Sequence, residues 1–136
     1  MKAESLEYQD GDVTLKGFVA LDDQNNAKRP GILVMPEAFG LGKQAKGRAE
    51  RLAGLGYAAL AGDPYGNGLE GSDLQEAIKH AGAIRADTTK FRQRIRAGLD
   101  TLAALPQVDT GRLAVIGYCM GGTCSLEMAR DGAPIK

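Results

Sequence analysis

Gly117-Tyr118-Cys119-Met120-Gly121 has the spacing Gly-x-nucleophile-x-Gly, with cysteine at the centre. It follows the apolar run Leu113-Ala114-Val115-Ile116 and precedes a helical stretch from Met120 to Arg130. The segment therefore reads as a nucleophile elbow, a strand that turns abruptly into a helix. Such a turn forces its central residue into a strained backbone conformation, and side chains two residues to either side would collide. Gly117 and Gly121 remove those side chains. Cys119 then stands at a helix N-terminus, where unsatisfied N–H groups and the helix dipole favour a thiolate. The N–H of Met120 would supply one oxyanion donor. The pattern is neither a Gly-x-Gly-x-x-Gly fingerprint nor a phosphate loop ending in Lys-Ser/Thr. A buried, structural thiol at position 119 is the competing reading. Cys124, five residues on and off the Cys119 face of the helix, reads as structural.

A second segment, Pro36-Glu37-Ala38-Phe39-Gly40-Leu41-Gly42, cannot be helix throughout and follows the apolar run Gly31–Met35. A loop after such a strand lies at the carboxyl end of a sheet, where open α/β sheets bind ligands. In folds built around a nucleophile elbow this loop supplies the second oxyanion donor, which by position would be the N–H of Ala38, with Phe39 the less favoured choice. Glu37 alone could be a solvated loop acid. Beside Cys119 it could take the thiol proton or hold it in place.

These segments need a scaffold. Leu6–Gln9 and Val13–Ala20 alternate as two strands about an Asp10-Gly11-Asp12 turn, and Asp22–Arg29 reads as a surface loop. Gly31–Met35, Tyr57–Ala61 and Leu113–Ile116 are short continuous apolar runs, as expected of parallel strands buried on both faces. Helices are predicted over Lys43–Leu55, ending at Gly56, and from a Ser72/Gln75 capping box to about Ala83. A longer helix is predicted over Asp87–Leu105, where Phe91, Ile95, Leu99 and Leu102 form one stripe, with Pro106–Arg112 a loop after it. This order predicts one α/β domain over residues 1–136: a mostly parallel sheet, helices on both faces and an N-terminal antiparallel hairpin.

With 43% hydrophobic and 25% charged residues, the 136-residue chain has the composition of a folded domain. Seventeen basic and seventeen acidic residues cancel, giving no electrostatic case for nucleic acid or an anionic membrane. No run approaches the roughly 20 apolar residues of a membrane span. Met1–Ser5 lacks the apolar run of a signal peptide. Two closely spaced cysteines and a single histidine make neither a disulfide framework nor a convincing zinc site, and a reducing cytoplasm fits.

Pro36–Leu41, Leu55-Gly56-Tyr57-Ala58-Ala59-Leu60, Asp63-Pro64-Tyr65-Gly66 and Ile116–Gly122 together resemble successive landmarks of the dienelactone hydrolase family of α/β-hydrolases. The resemblance implies cofactor-free hydrolysis of small esters or lactones through a cysteinyl acyl-enzyme. Cys119 would be the nucleophile and Glu37 the carboxylate that meets the thiol before substrate binds. It places Tyr65 near the pocket, with Phe39 and Tyr118 as further wall candidates.

Family members continue with further strands, whose loops carry the triad aspartate and histidine, whereas this chain ends at Ala133-Pro134-Ile135-Lys136. The expectation is thus a truncated α/β-hydrolase fold with an incomplete site. His80, in the insert between the second and third parallel strands, is expected to be an exposed helical histidine. Asp100 and Asp109 fall too early for the triad acid, and Arg85 is only a weak candidate to hold a substrate carboxylate. The 113–116 strand should present a bare edge, inviting homodimerisation through that edge. Two further readings stand beside the hydrolase: an inactive relative serving as a dimeric or ligand-binding module, and redox sensing by Cys119. Cys124 is badly spaced as a resolving thiol for the latter.

Overall fold

The computed structural model describes residues 1–136 as five strands and four helices. In chain order they are β1 (Lys2–Asp10), β2 (Val13–Leu21), β3 (Arg29–Met35), α1 (Lys43–Gly54), β4 (Ala58–Ala61), α2 (Leu74–Arg85), α3 (Thr88–Ala103), β5 (Val108–Gly117) and α4 (Met120–Arg130). The strands form one sheet in the order β1-β2-β4-β3-β5. The expected mostly parallel sheet is corrected here to a mixed one. β3 pairs in parallel with β4 and β5, but β2 runs antiparallel to both β1 and β4. The physical reason is that the N-terminal hairpin docks edge-on to β4 and so extends the sheet itself.

Helices cover both faces, as the alternation of strands and helices requires. On one side Ala45, Ala49 and Ala53 of α1 form an i, i+4, i+8 stripe against Ala20, Ile32, Val34, Ala59 and Ala61. Small side chains on both surfaces let the helix lie close to the sheet. On the other side α2, α3 and α4 bury Ile84, Phe91, Ile95, Leu99, Leu102, Cys124 and Met128 against Val19, Leu33, Met35, Leu60 and Leu113. No helix is long and apolar enough to cross a membrane.

Three local boundaries differ from the sequence expectation. Arg29 begins β3 and is buried, because its guanidinium folds back to donate to the Asp22 and Ala27 carbonyls and to Asn25 Oδ1. The cap of α2 is Asp73 rather than Ser72: its Oδ1 accepts the Glu76 N–H at 2.8 Å, while the Ser72 hydroxyl donates to the Glu76 side chain at 2.7 Å. β5 starts at Val108, where Val108 and Asp109 already pair with Arg29 and Pro30. Residues 110–112 then bulge before Leu113 pairs with Gly31.

β5 is the outer strand of the sheet. Ala114, Val115 and Ile116 are only half-buried, and the Lys136 N–H donates to the Leu113 carbonyl at 2.9 Å.

At the carboxyl end of β4, Asp63 is fully buried. Its Oδ1 accepts the N–H groups of Tyr65 (3.1 Å) and Gly66 (3.0 Å), and its Oδ2 those of Lys16 (3.0 Å) and Gly68 (2.8 Å). The Tyr8 hydroxyl accepts the Asp63 N–H at 3.0 Å. Arg94 of α3, also buried, pairs with Asp10 at 2.7 Å and donates to the Pro64 carbonyl at 3.3 Å. One carboxylate and one guanidinium thus fix the 63–68 loop to the hairpin and to α3. Asp63→Ala would leave four backbone donors without their acceptor. It should lower the unfolding free energy by at least about 3 kcal/mol in urea denaturation.

Candidate active site

Cys119 has φ 57° and ψ −117°, a combination that a residue bearing a side chain rarely adopts, and it stands directly before α4. Holding it there costs on the order of 1–3 kcal/mol. Close packing around the turn imposes the conformation. A methyl group on Gly117 would overlap the backbone of Gly121, and one on Gly121 would overlap the Met35 carbonyl at the end of β3. Glycine at both positions is therefore a steric requirement, and it seats α4 against the ends of β3 and β5.

Cys119 is exposed, so the alternative of a buried thiol does not hold for this position. That description belongs to Cys124, which is buried in the core between sheet and helices. Burial pushes the Cys124 thiol from an ordinary 9.0 up to about 12, and it stays neutral at physiological pH.

The 36–42 loop adjoins the elbow. Its turn is closed by the Gly40 N–H donating to the Glu37 carbonyl at 3.1 Å. Gly40 itself has φ +95°, and a side chain there would meet the Leu69 carbonyl at 2.6 Å. Peptide groups are planar and trans, so tying the Glu37 carbonyl fixes the opposite direction for the Ala38 N–H. No group of the chain accepts the N–H of Ala38 or of Met120. The Ala38 carbonyl accepts the Tyr65 hydroxyl at 2.5 Å, which turns the Phe39 N–H away from Tyr65. That hydroxyl also lies 3.5 Å from Met120 Sδ.

Glu37, Phe39 and Tyr118 line a cleft of about 250 Å³, together with Lys43 and Glu70. The Tyr118 ring is capped by the Arg48 guanidinium, 5.1 Å from its centroid. No hydrogen bond joins the Cys119 thiol to the Glu37 carboxylate in this arrangement. A larger cleft, about 630 Å³, lies along the outer face of α3. Arg92, Arg96, Asp100 and Asp131 there pair with one another or with Glu127, and no predicted site residue lines it.

The expectation of an exposed His80 is corrected: it is half-buried, its ring packed on Tyr65 with centroids 5.4 Å apart, and its Nε2 lies 3.4 Å from Glu76 Oε1. The apolar edge of an imidazole fills space beside an aromatic ring, which a count of helical positions cannot show. Asp109 pairs with Arg112 at 2.7 Å at the start of β5, the end of the strand opposite Cys119. Arg85 is exposed at the last turn of α2, close enough to lower the Cys124 pKa slightly against the effect of burial. Sequence reasoning missed Asp63 and Arg94. The signal for Asp63 was present in Asp63-Pro64-Tyr65-Gly66, an acid at a strand end followed by turn residues.

A sheet covered on both faces, with a strained residue between a strand end and a helix, defines the α/β-hydrolase type of fold. The family model for the dienelactone hydrolase family matches residues 15–136, and the chain belongs to that family. Among its relatives is a Bradyrhizobium sp. protein named "Probable 2-oxo-3-(5-oxofuran-2-ylidene)propanoate lactonase", 33% identical over 76% of this chain and 42% of its own length. A Methylorubrum extorquens protein named "Putative carboxymethylenebutenolidase" is 30% identical over 79% of this chain and 38% of its own length. A solved dienelactone hydrolase-like promiscuous phosphotriesterase from metagenomic libraries superposes with a TM-score of 0.94 at 41% identity, over 99% of this chain and 56% of that one. The chain thus spans about two-fifths of the curated relatives' lengths.

The two thiols should separate chemically. Native protein should react with one equivalent of a disulfide reagent at Cys119, and with a second at Cys124 only on unfolding. Two fast-reacting thiols in the native protein would contradict the burial described here.

Proposed function

We propose that this chain carries the nucleophile of a small-ester or lactone hydrolase, with Cys119 attacking the substrate carbonyl. The observation that supports this best is the strained, exposed Cys119 directly before Met120, whose N–H, like that of Ala38 on the neighbouring loop, no other group of the chain accepts. The thiol proton passes to the Glu37 carboxylate, and the sulfur forms a bond to the acyl carbon. The carbonyl electron pair moves to oxygen, where the two N–H groups hold the oxyanion, each worth about 3 kcal/mol in the transition state. Collapse of the tetrahedral intermediate breaks the acyl carbon–oxygen bond. The leaving alkoxide takes the proton from Glu37, and in a lactone it stays tethered to the acyl group. Water then hydrolyses the thioester. That step needs a general base, and His80 is turned to Glu76 and Tyr65 rather than to the thiol.

p-Nitrophenyl acetate should release one equivalent of p-nitrophenolate in a burst that is lost in Cys119→Ala and slowed about a hundredfold in Glu37→Gln. Release past one equivalent would show that a base for deacylation is in place. Equal release with and without the Cys119 thiol would refute the assignment.

A second reading, a folded module that self-associates, is favoured by the outer position of β5 and its half-buried Ala114, Val115 and Ile116. Antiparallel pairing of two β5 strands about a two-fold axis would continue the sheet into a homodimer. Sedimentation should then give a dimer that a charge placed at Val115 disrupts; a concentration-independent monomer excludes it.

A further inference from the structure

We propose that Tyr65 is a positioning residue: its hydroxyl clamps the Ala38 carbonyl and the Met120 side chain together, so that the two proposed oxyanion donors keep their spacing. This inference rests on the functional reading above and names the part that sets its geometry.

The Tyr65 hydroxyl touches both donor-bearing segments. It donates to the Ala38 carbonyl at 2.5 Å and lies 3.5 Å from Met120 Sδ. Without it, the Ala38–Phe39 peptide has no partner for its carbonyl and is free to flip. A flip of that plane reverses the Phe39 N–H; the Ala38 N–H keeps the direction set by the Glu37–Gly40 turn but loses the tie that fixes its distance from Met120.

The clamp itself is held from behind. Asp63 Oδ1 accepts the Tyr65 N–H at 3.1 Å, and the His80 ring packs against that of Tyr65 in a tilted arrangement. The order of support therefore runs from the buried Asp63 carboxylate, through the Tyr65 ring and hydroxyl, to the loop and the elbow. Burial, with a smaller contribution from the two cysteines, raises the Tyr65 pKa to about 12. The hydroxyl thus remains a proton donor throughout the range in which a thiolate nucleophile works.

The test compares two reactions of the same thiol. Acylation by p-nitrophenyl acetate passes through an oxyanion and needs both N–H groups; alkylation by iodoacetamide displaces iodide at a saturated carbon and needs neither. In Tyr65→Phe the acylation rate should fall about ten- to a hundredfold while the alkylation rate stays within about twofold. An unchanged acylation rate overturns the proposal, and so does an equal fall in both rates, which would mean a general disturbance of the elbow. A backbone readout keeps the two inferences separable. The Ala38 and Phe39 amide resonances of Tyr65→Phe should broaden or double, with the spectrum otherwise native. Unperturbed loop amides overturn the clamp even if Cys119 acylates as proposed. If wild-type Cys119 does not acylate, the hydrolase reading falls and takes the positioning role with it, whatever the loop does.

Discussion

Gly121 lies so close to the Met35 carbonyl that not even a methyl group fits between them, and Gly117 lies equally close to Gly121. This double contact ties the N-terminus of α4 to the carboxyl ends of β3 and β5. It explains why Cys119 is driven to positive φ, why its side chain projects outward, and why the first N–H of α4 is left without an acceptor. Strain at one residue is sustained because the surrounding backbone has no room to relax.

Around that contact the structure adds hydrogen-bonded support to the apolar packing of Met35, Met120 and Tyr65. Asp63 gathers four N–H groups from β2 and from its own loop. Tyr8 closes the remaining backbone donor, and Arg94 locks the loop to α3. A carboxylate with both oxygens doubly satisfied can be buried at little net cost, whereas the same group unpaired could not. The dividend is a rigid Tyr65, and through Tyr65 a defined direction for the loop carrying Glu37 and Ala38.

The two faces of the sheet serve different ends. The alanine-lined α1 face is thin and brings the cleft around Glu37 and Tyr118 up against the helix, with Arg48 seated on the Tyr118 ring. The opposite face carries three helices and most of the large buried side chains, Cys124 among them. The hairpin β1–β2 lengthens the sheet on one side and leaves β5 outermost on the other.

Much of this was determined by the sequence alone. Gly-x-Cys-x-Gly after an apolar run specifies an elbow because only glycine tolerates that approach, and strand and helix periods follow from which faces must be buried. The stripe Phe91, Ile95, Leu99, Leu102 lies on the core, as its spacing requires. Other features were decided only in three dimensions. The antiparallel docking of β2 on β4 depends on which edge accepts the hairpin, and local periodicity is silent on edges. His80 became half-buried because Tyr65, fifteen residues earlier, comes to lie beneath it. The buried roles of Asp63 and Arg94 emerge only when their partners from β1, β2 and the 63–68 loop are brought around them. A residue's own type and spacing fix what it can do locally; its partners across the fold, set by long-range packing, fix what it does.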